Sequence, residues 1–430
     1  MKWLPSVKVT RTNKQNVARR IRRSYEFSKD KPFVHRIIDQ VRRDGDNALL
    51  KYTRKFDGAN LRKEQLRISK AELEKSTRRV DRKLLSALRS SLQRLQSSQQ
   101  ELLSRINYSI KLNDFKLQFT ARPLQSVGCY IPGGTAAYPS TVLMTAGIAK
   151  LAGVQRIVLC TPPSANGQVN DVILAAADLC GVNEVYRCGG AHAIAALAYG
   201  TGTISRVEKI AGPGGRYVAM AKKLISTGVL IDFNAGPTEL IVVADKTTNP
   251  KLAAWDLIAQ AEHGPDTLTC LVTCAEEVAA NVRREINRII PTIERKKYVE
   301  QSLANGTAAI CEDLDAVCDF VNEMAPEHVE LLTQNSQILS DRIHAAGLIL
   351  LGPYSPAAAS DYCVGSNHVL PTGGAAKNHG GLSILDFMKV GCTVQGSSTG
   401  LQNVLEPLKA LASAEGLVNH YSSVRARFEA

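Results

Sequence analysis

Six of the eight histidines fall between residues 263 and 420, and four of them stand close to Gln, Glu or Asp in short segments marked by Gly or Pro. The segments are Gln260-Ala-Glu-His263-Gly-Pro-Asp, Ala-Pro-Glu327-His328, Asp361 with Asn367-His368, and Glu415 with His420. Imidazole nitrogen combined with carboxylate or amide oxygen is a ligand set for a borderline divalent cation such as zinc. An adjacent Glu-His pair can also supply a water activator and a proton acceptor. One stretch of chain thus carries the means both to hold a metal and to move protons.

Each constellation also has a plainer explanation. Gln260 and His263 lie three apart at the end of a helix expected to run from Asn249-Pro250 to His263, with Gly264-Pro265 as its stop, so both project from one face. A histidine at a helix C-terminus can equally be there for the dipole. Glu327-His328 follows Pro326, which disfavours helix and holds the chain extended; neighbouring side chains then point to opposite sides and flank a substrate only at a strand mouth. As a bare dipeptide it is also an ordinary surface pair. Asp361 and His368 lie in a Gly/Ser/Asn/Pro-rich stretch after an expected strand, the setting in which sites are built, although Asp361 could be a simple cap. Glu415 and His420, five apart, have the spacing of a solvated helical face, and His35, His344 and His379 have no chemical company beyond Asn378.

The elements that must position these groups follow from periodicity. Val34, Ile37, Ile38 and Val41, then Leu84, Leu85, Leu88, Leu92 and Leu95, repeat at helical spacing, so residues 31–108 are expected to be mainly helical. After Gln118 short β-branched runs alternate with helices, the pattern of a parallel sheet covered by helices. Ser126–Tyr130 is expected as a strand, Pro132-Gly-Gly134 as its turn, and Ser140 as the cap of a helix reaching Gly153. Strands are expected at Arg156–Cys160, Glu184–Arg187, Val207–Ile210 and Val229–Asp232, and a second series at Glu239–Ala244, Thr267–Val272, Ala308–Cys311, Val329–Leu332 and Leu348–Leu351. Two glycine turns, Gly189-Gly-Ala-His192 and Gly212-Pro-Gly-Gly215, follow strands of the first series; neither is a dinucleotide fingerprint and no Walker motif occurs, so they are also ordinary strand–helix turns.

At 430 residues the chain is long enough for more than one core. No run of about 18 apolar residues could span a bilayer, and the N-terminal segment lacks the apolar stretch of a secretion signal, which points to the cytoplasm. The ten cysteines form no Cys-x-x-Cys pair and mostly sit in apolar runs, as reduced buried residues do. Net charge is +13, but residues 1–120 hold 30 Lys and Arg against 12 Asp and Glu and leave the remainder acidic. These charges follow helical patterns without interleaved aromatics, so a solvated surface explains them better than nucleic-acid binding.

Taken together, Ser126-Val-Gly-x-Tyr130-Ile-Pro-Gly-Gly134, Ser140-Thr-Val-Leu-Met, Gly-Gly190-Ala-x-Ala-Ile-Ala-Ala-Leu-Ala198, Ala-Gly236-Pro, Gln260-Ala-Glu-His263-Gly-Pro-Asp, Pro-Glu327-His328 and Asn-His368-Val-Leu-Pro-Thr occur in an order that resembles the histidinol dehydrogenase family over nearly the whole chain. The resemblance implies an α/β fold of two Rossmann-like parallel-sheet domains, with a helical N-terminal arm (1–27), a catalytic domain (28–129 plus 239–382), an inserted NAD-binding domain (130–238) and a helical C-terminal tail (383–430). It implies an intertwined homodimer in which the tail completes the partner's site. Zinc ligands carry over to Gln260, His263, Asp361 and His420, and the catalytic pair to Glu327 and His328. Substrate contacts carry over to Thr238, His368 and Glu415 beside the metal ligands and His328, and NAD contacts to Tyr130, His192 and Gly215.

The implied reaction is the four-electron oxidation of L-histidinol through the aldehyde to L-histidine with two NAD, the last step of histidine biosynthesis. Three positions depart from the family pattern: His192 stands where Gln is usual, Gly215 where Asn is usual, and Thr238 where Ser is usual. The competing expectations are a zinc- and NAD-linked relative acting on another small alcohol, such as a sulfonated diol, and a non-catalytic metal- or nucleic-acid-binding protein using the basic end. Glu415 and His420 favour histidinol over the first, and the intact Glu327-His328 pair argues against the second.

Overall fold

The computed structural model describes residues 3–23, 28–133 and 136–429. Gly134 of the expected turn and residues 24–27 of the expected arm lie outside the described residues. The chain forms two compact units, one of residues 1–99 and 124–387, the other of residues 100–123 and 388–430. Among the described residues no helix is long and apolar enough to cross a membrane.

The larger unit contains two six-stranded sheets. In the first, the order is Ser6–Val9, Thr307–Cys311, Leu268–Thr273, Glu239–Ala244, His328–Leu332, Leu348–Leu351, every neighbour parallel. Its central strands are buried on both faces and read as continuous apolar runs rather than alternating ones, as doubly covered parallel strands must. Leu240, Val242, Leu271 and Ala308 face the helix Pro250–Ala261, while Ile241, Val243, Cys270 and Ala309 face the helices Lys14–Arg23 and Leu314–Met324.

In the second sheet the order is Arg67–Ile68, Glu184–Arg187, Arg156–Thr161, Ser126–Tyr130, Lys209–Ala211, Leu230–Ile231, parallel except for the two-residue edge strand 67–68. The chain winds outward from Ser126–Tyr130 in one direction and then returns to its other side, so the order reverses between Ser126–Tyr130 and Lys209–Ala211. A crevice at the carboxyl ends of such strands is the standard ligand position of open α/β sheets.

Several expectations shift. The arm is folded onto its own unit: Ser6–Val9 is the edge strand of the first sheet, and Val17, Ala18 and Ile21 are buried in that sheet's core. Residues 31–99 belong with the second sheet, not the 239–382 segment, because Val34, Ile37, Ile38 and Val41 pack against Ala191–Ala198 and residues 67–68 extend the second sheet. Ser126–Tyr130 is central to the second sheet, so an inserted domain starting at 130 would cut it off from its own sheet. The tail is not purely helical, since Met388–Gly396 pairs antiparallel with Phe115–Pro123, which in turn pairs with Tyr108–Leu112 in the smaller unit. Tyr138, not Ser140, precedes the helix at Pro139, and Leu143–Gly147 within it is a π-helical segment, a device that occurs frequently at functional sites. The ten cysteines are unpaired, as expected.

Beside the switch point, Lys222 and Asp232 form an ion pair with both side chains fully buried. Lys222 Nζ also donates to the Gly212 carbonyl (2.9 Å), and Gly212 N–H donates to Asp232 Oδ2 (2.8 Å). Gly212 has φ +120°, and a Cβ there would lie 2.2 Å from the Tyr130 carbonyl oxygen, so only glycine fits this turn. Removing the cation strands a buried carboxylate. Lys222→Met is expected to lower unfolding free energy by about 3–5 kcal/mol, with a good part regained in Lys222→Met/Asp232→Asn; urea unfolding checks both.

Candidate active site

The chemistry-bearing residues gather at the amino ends of the first sheet's strands, not at their carboxyl ends. Thr238 immediately precedes the strand Glu239–Ala244, and Glu327 immediately precedes its parallel neighbour, in which Leu240 is in register with His328. That register sets Thr238-Glu239 beside Glu327-His328. One oxygen of Glu327, Oε2, accepts the Thr238 hydroxyl and the Glu239 N–H (2.8 Å for the latter). The Gln260 side-chain amide donates to the same Thr238 hydroxyl oxygen (2.5 Å), so Gln260, Thr238 and Glu327 form one continuous chain of hydrogen bonds.

His328 is 2 % exposed. Its Nδ1 faces the Glu239 carbonyl at 3.3 Å and Glu327 Oε2 at 3.6 Å; its Nε2 is buried without a hydrogen-bond partner and lies 3.8 Å from Asp361 Oδ1. Burial by itself pulls this imidazole down, but Glu327 and Asp361 outweigh it and carry it up to about 9. The expectation that Glu327 and His328 diverge is met only in part, because the turn before the strand lets both approach the same carboxylate cluster. Ala325, the residue ending the preceding helix, takes a left-handed conformation with φ +42° to make that turn.

The helix Pro250–Ala261 runs antiparallel to the strands and so brings its C-terminus to this end. It stops two residues earlier than expected, and His263 sits in the following turn, with its N–H donating to the Gln260 carbonyl (3.3 Å). Asp361 lies near the end of the helix Ala357–Tyr362. His368 Nδ1–H donates to the Asp361 carbonyl (2.8 Å), which leaves Nε2 to accept from the Thr141 hydroxyl (3.2 Å). Burial holds His368 below its ordinary value against the pull of Asp361. Asn367 donates to the Met144 carbonyl (2.9 Å), so the 367–368 segment ties the first sheet's loops to the π-helical segment after the second sheet's switch strand.

A cavity of about 470 Å³ joins the two sheets' contributions. Thr238, His263, Glu327, His328, Asp361 and His368 line one side; Gly133, Pro213, Gly214 and Gly215 from the second sheet's turns line the other. A neighbouring cavity of about 630 Å³ shares Gly236, Pro237 and Asp266 with it, but Arg22 there pairs with Glu239 and Lys377 with Glu323. Neither Tyr130 nor His192 lines the smaller cavity. The Tyr130 hydroxyl accepts the Gly190 N–H (3.0 Å), and His192 is turned toward Thr53, Asp57, Tyr52 and Phe56, where burial pushes it down to about 3.

Gln260, His263 and Asp361 bring an amide, an imidazole and a carboxylate to this region, and Gln260's nitrogen is occupied by Thr238, which leaves its oxygen as the available donor. Among the described residues no three His, Cys, Asp or Glu side chains are grouped to hold a metal. Glu415 and His420 belong to the smaller unit, on or beside its exposed helices. The contributions of the Glu239 backbone, Thr141 and Glu330 were not foreseen; for the backbone groups residue type carries no signal at all.

A glycine-lined crevice facing a buried acid–base pair with metal-type donors alongside defines an α/β oxidoreductase. A family model described as histidinol dehydrogenase matches residues 20–428. Histidinol dehydrogenase of Methanosarcina mazei is 41% identical over 396 residues, covering 92% of this chain and 91% of that protein. That of Lactococcus lactis is 41% identical over 409 residues, covering 95% of each. The crystal structure of histidinol dehydrogenase from Elizabethkingia anophelis superposes with a TM-score of 0.91 at 32% identity, covering 100% of this chain and 98% of that one. The chain belongs to the histidinol dehydrogenase family, whose members are NAD-dependent oxidoreductases of histidine biosynthesis.

Thr238→Val would leave the Gln260 amide and one Glu327 lone pair unmatched in a buried setting, at about 1–3 kcal/mol. Lower urea stability and slower histidinol oxidation are expected, whereas Thr238→Ser, which keeps the hydroxyl, should stay near the parent on both measurements.

Proposed function

We propose that this protein oxidises L-histidinol through L-histidinal to L-histidine, with zinc held by Gln260, His263, Asp361 and a His420 contributed by a second copy of the chain. The observation that carries the reading is the Gln260–Thr238–Glu327 hydrogen-bond chain beside His328 and Asp361, in a cavity that also takes glycine turns from the second sheet. Zinc would orient the substrate through its imidazole and amino nitrogens, and NAD, seated against Gly133 and the turn formed by Pro213, Gly214 and Gly215, would accept a hydride in each of two oxidations.

His328 takes the hydroxyl proton in the first oxidation. Glu327 and Asp361 are the carboxylates that favour the charged imidazole, and Asp361, were it to hold a metal, would be engaged elsewhere, which would favour the neutral His328 that accepts a proton. Glu327, with Oε2 already taken by Thr238 and Glu239, has Oε1 left to polarise the water that hydrates the aldehyde. His368, fixed between Asp361 and Thr141, bounds the substrate pocket, and Glu415 joins it from the partner's tail. Of the NAD contacts implied by the resemblance, Gly215 fits through its place in the cavity; Tyr130 and His192 act through the shape of the Gly190 turn. The reaction and its need for NAD support a cytoplasmic enzyme.

The dimer is supported by the smaller unit itself. Its three-stranded sheet and three helices bury, among the described residues, the single apolar side chain of Ala412, while Tyr108, Ile110, Leu112, Val390, Val394, Leu411 and Val418 are exposed. A sheet with no core of its own needs another surface to cover it.

Purified protein should yield two NADH per histidinol; a chelator should abolish turnover and zinc restore it, and one NADH per substrate or insensitivity to metal would overturn the reading. Sharing of the site is tested by mixing two inactive variants, His263→Asn and His420→Asn, under conditions that exchange subunits. With the tail acting in trans, roughly a quarter of sites in the random mixture are intact and turnover returns in proportion. With the tail acting within its own chain, none is intact and the mixture stays inactive.

A further inference from the structure

Beneath the metal set lies a second layer that the proposed reaction does not use. His328 and Glu330, two apart on one strand, point to the same face, the face covered by the helices Pro250–Ala261 and Ala357–Tyr362. Asp256 lies one turn before Gln260 on the first of these helices, and Ala357 one turn before Asp361 on the second. Each element that carries a site residue therefore has a partner residue one repeat deeper, and these deeper residues meet. Glu330 Oε1 accepts the Ala357 N–H (2.5 Å), one of the unpaired donors of that helix's first turn. Glu330 Oε2 is buried without a donor, and its side-chain neighbour is the carboxyl of Asp256.

Glu330 is 1 % exposed, and neither acid has a Lys or Arg ion-pair partner among the described residues. Two adjacent carboxyl groups in such a place can hydrogen-bond only when one of them carries a proton, which also supplies the donor that Oε2 lacks. Burial first, and the Asp256 charge second, push Glu330 up to about 8, against a smaller downward pull from His328; burial raises Asp256 as well.

We infer that Asp256 and Glu330 form a proton-sharing carboxyl pair that positions the metal donors, pinning the first turn of Ala357–Tyr362 to the inner face of Pro250–Ala261 and so setting the separation between Asp361 and Gln260. The inference rests on the metal set proposed above. Both acids are positioning residues: they touch neither substrate nor the reacting atoms. Groups that hold metal ligands in place in this way change affinity by about 10–100-fold when removed.

The test is the zinc affinity of metal-stripped protein, measured by competition with a chromophoric chelator, with the melting curve and NAD binding followed in the same samples. Glu330→Gln keeps an acceptor for the Ala357 N–H and a donor for Asp256, and Asp256→Asn keeps a donor for Glu330; both should bind zinc within about threefold of the parent, a small fraction of the loss expected on removing such a group. Glu330→Leu and Asp256→Leu, which break the pair, should bind it about 10–100-fold more weakly while NAD binding holds. Asp256 lies at the less buried end, so its leucine variant keeps the test decisive where Glu330→Leu does not fold. Folded leucine variants with parental zinc affinity would overturn the inference, as would a glutamine variant as weak as the leucine one. A parent protein that binds no zinc would overturn the metal set, and the inference with it; failure confined to the variants leaves the metal set standing.

Discussion

The site depends on a single oxygen atom. Glu327 Oε2 receives the Thr238 hydroxyl and the Glu239 N–H, and both donors come from the residues that open the neighbouring strand. The parallel register that places Leu240 opposite His328 is therefore also what holds the Glu327 carboxylate. A slip of one residue would turn His328 to the other face of the sheet and leave Glu327 without donors. The strands Glu239–Ala244 and His328–Leu332 are buried throughout, so close packing on both faces opposes that slip and maintains the geometry within the cavity.

Placing the pair at the amino ends of the strands has an electrostatic consequence. The helices that return along the sheet arrive with their C-termini, so Gln260, His263 and Asp361 enter at the negative ends of helix dipoles, where a cation is favoured. The second sheet contributes its opposite end, the carboxyl ends of Ser126–Tyr130 and Lys209–Ala211 with their glycine turns, the usual ligand position of open α/β sheets. One cavity thus has a cation-favouring wall facing a glycine-lined one. His328 lies on the former, where Glu327 and Asp361 outweigh burial and raise it to about 9.

Much of this was legible in the amino-acid sequence, and the residues show why the rest was not. Strand and helix positions after residue 118 follow from apolar runs and from Gly and Pro punctuation, because burial on both faces of a sheet leaves a strong local signature. Sheet membership does not: Val34–Val41 has the same amphipathic pattern whichever sheet it covers, and nothing local to Ser6–Val9 or Arg67–Ile68 says which strand it will pair with. Met388–Gly396 was hidden because its strand is exposed almost throughout, so it lacks the apolar alternation that marks a half-buried strand. In the site, Gln260, His263, Asp361, Glu327 and His328 declare themselves by type. The Glu239 peptide group, the hydroxyl of Thr141 and the carboxyl of Glu330 do not, since their roles come from where neighbouring elements place them.

The departure at His192 shows how a substitution can be absorbed by the fold. A histidine within the first turn of Gly190–Tyr199 could face the crevice or the helices behind it, and here the ring lies against Tyr52 and Phe56, with Thr53 and Asp57 beside its Nε2. Burial pulls the imidazole down to about 3 and pushes Asp57 up to about 7, disfavouring the charged form of each. The backbone of the Gly190 turn is fixed separately, by its hydrogen bond to the Tyr130 hydroxyl. His192 does not line the cavity, whereas Gly215 does, with open space where a side chain would stand.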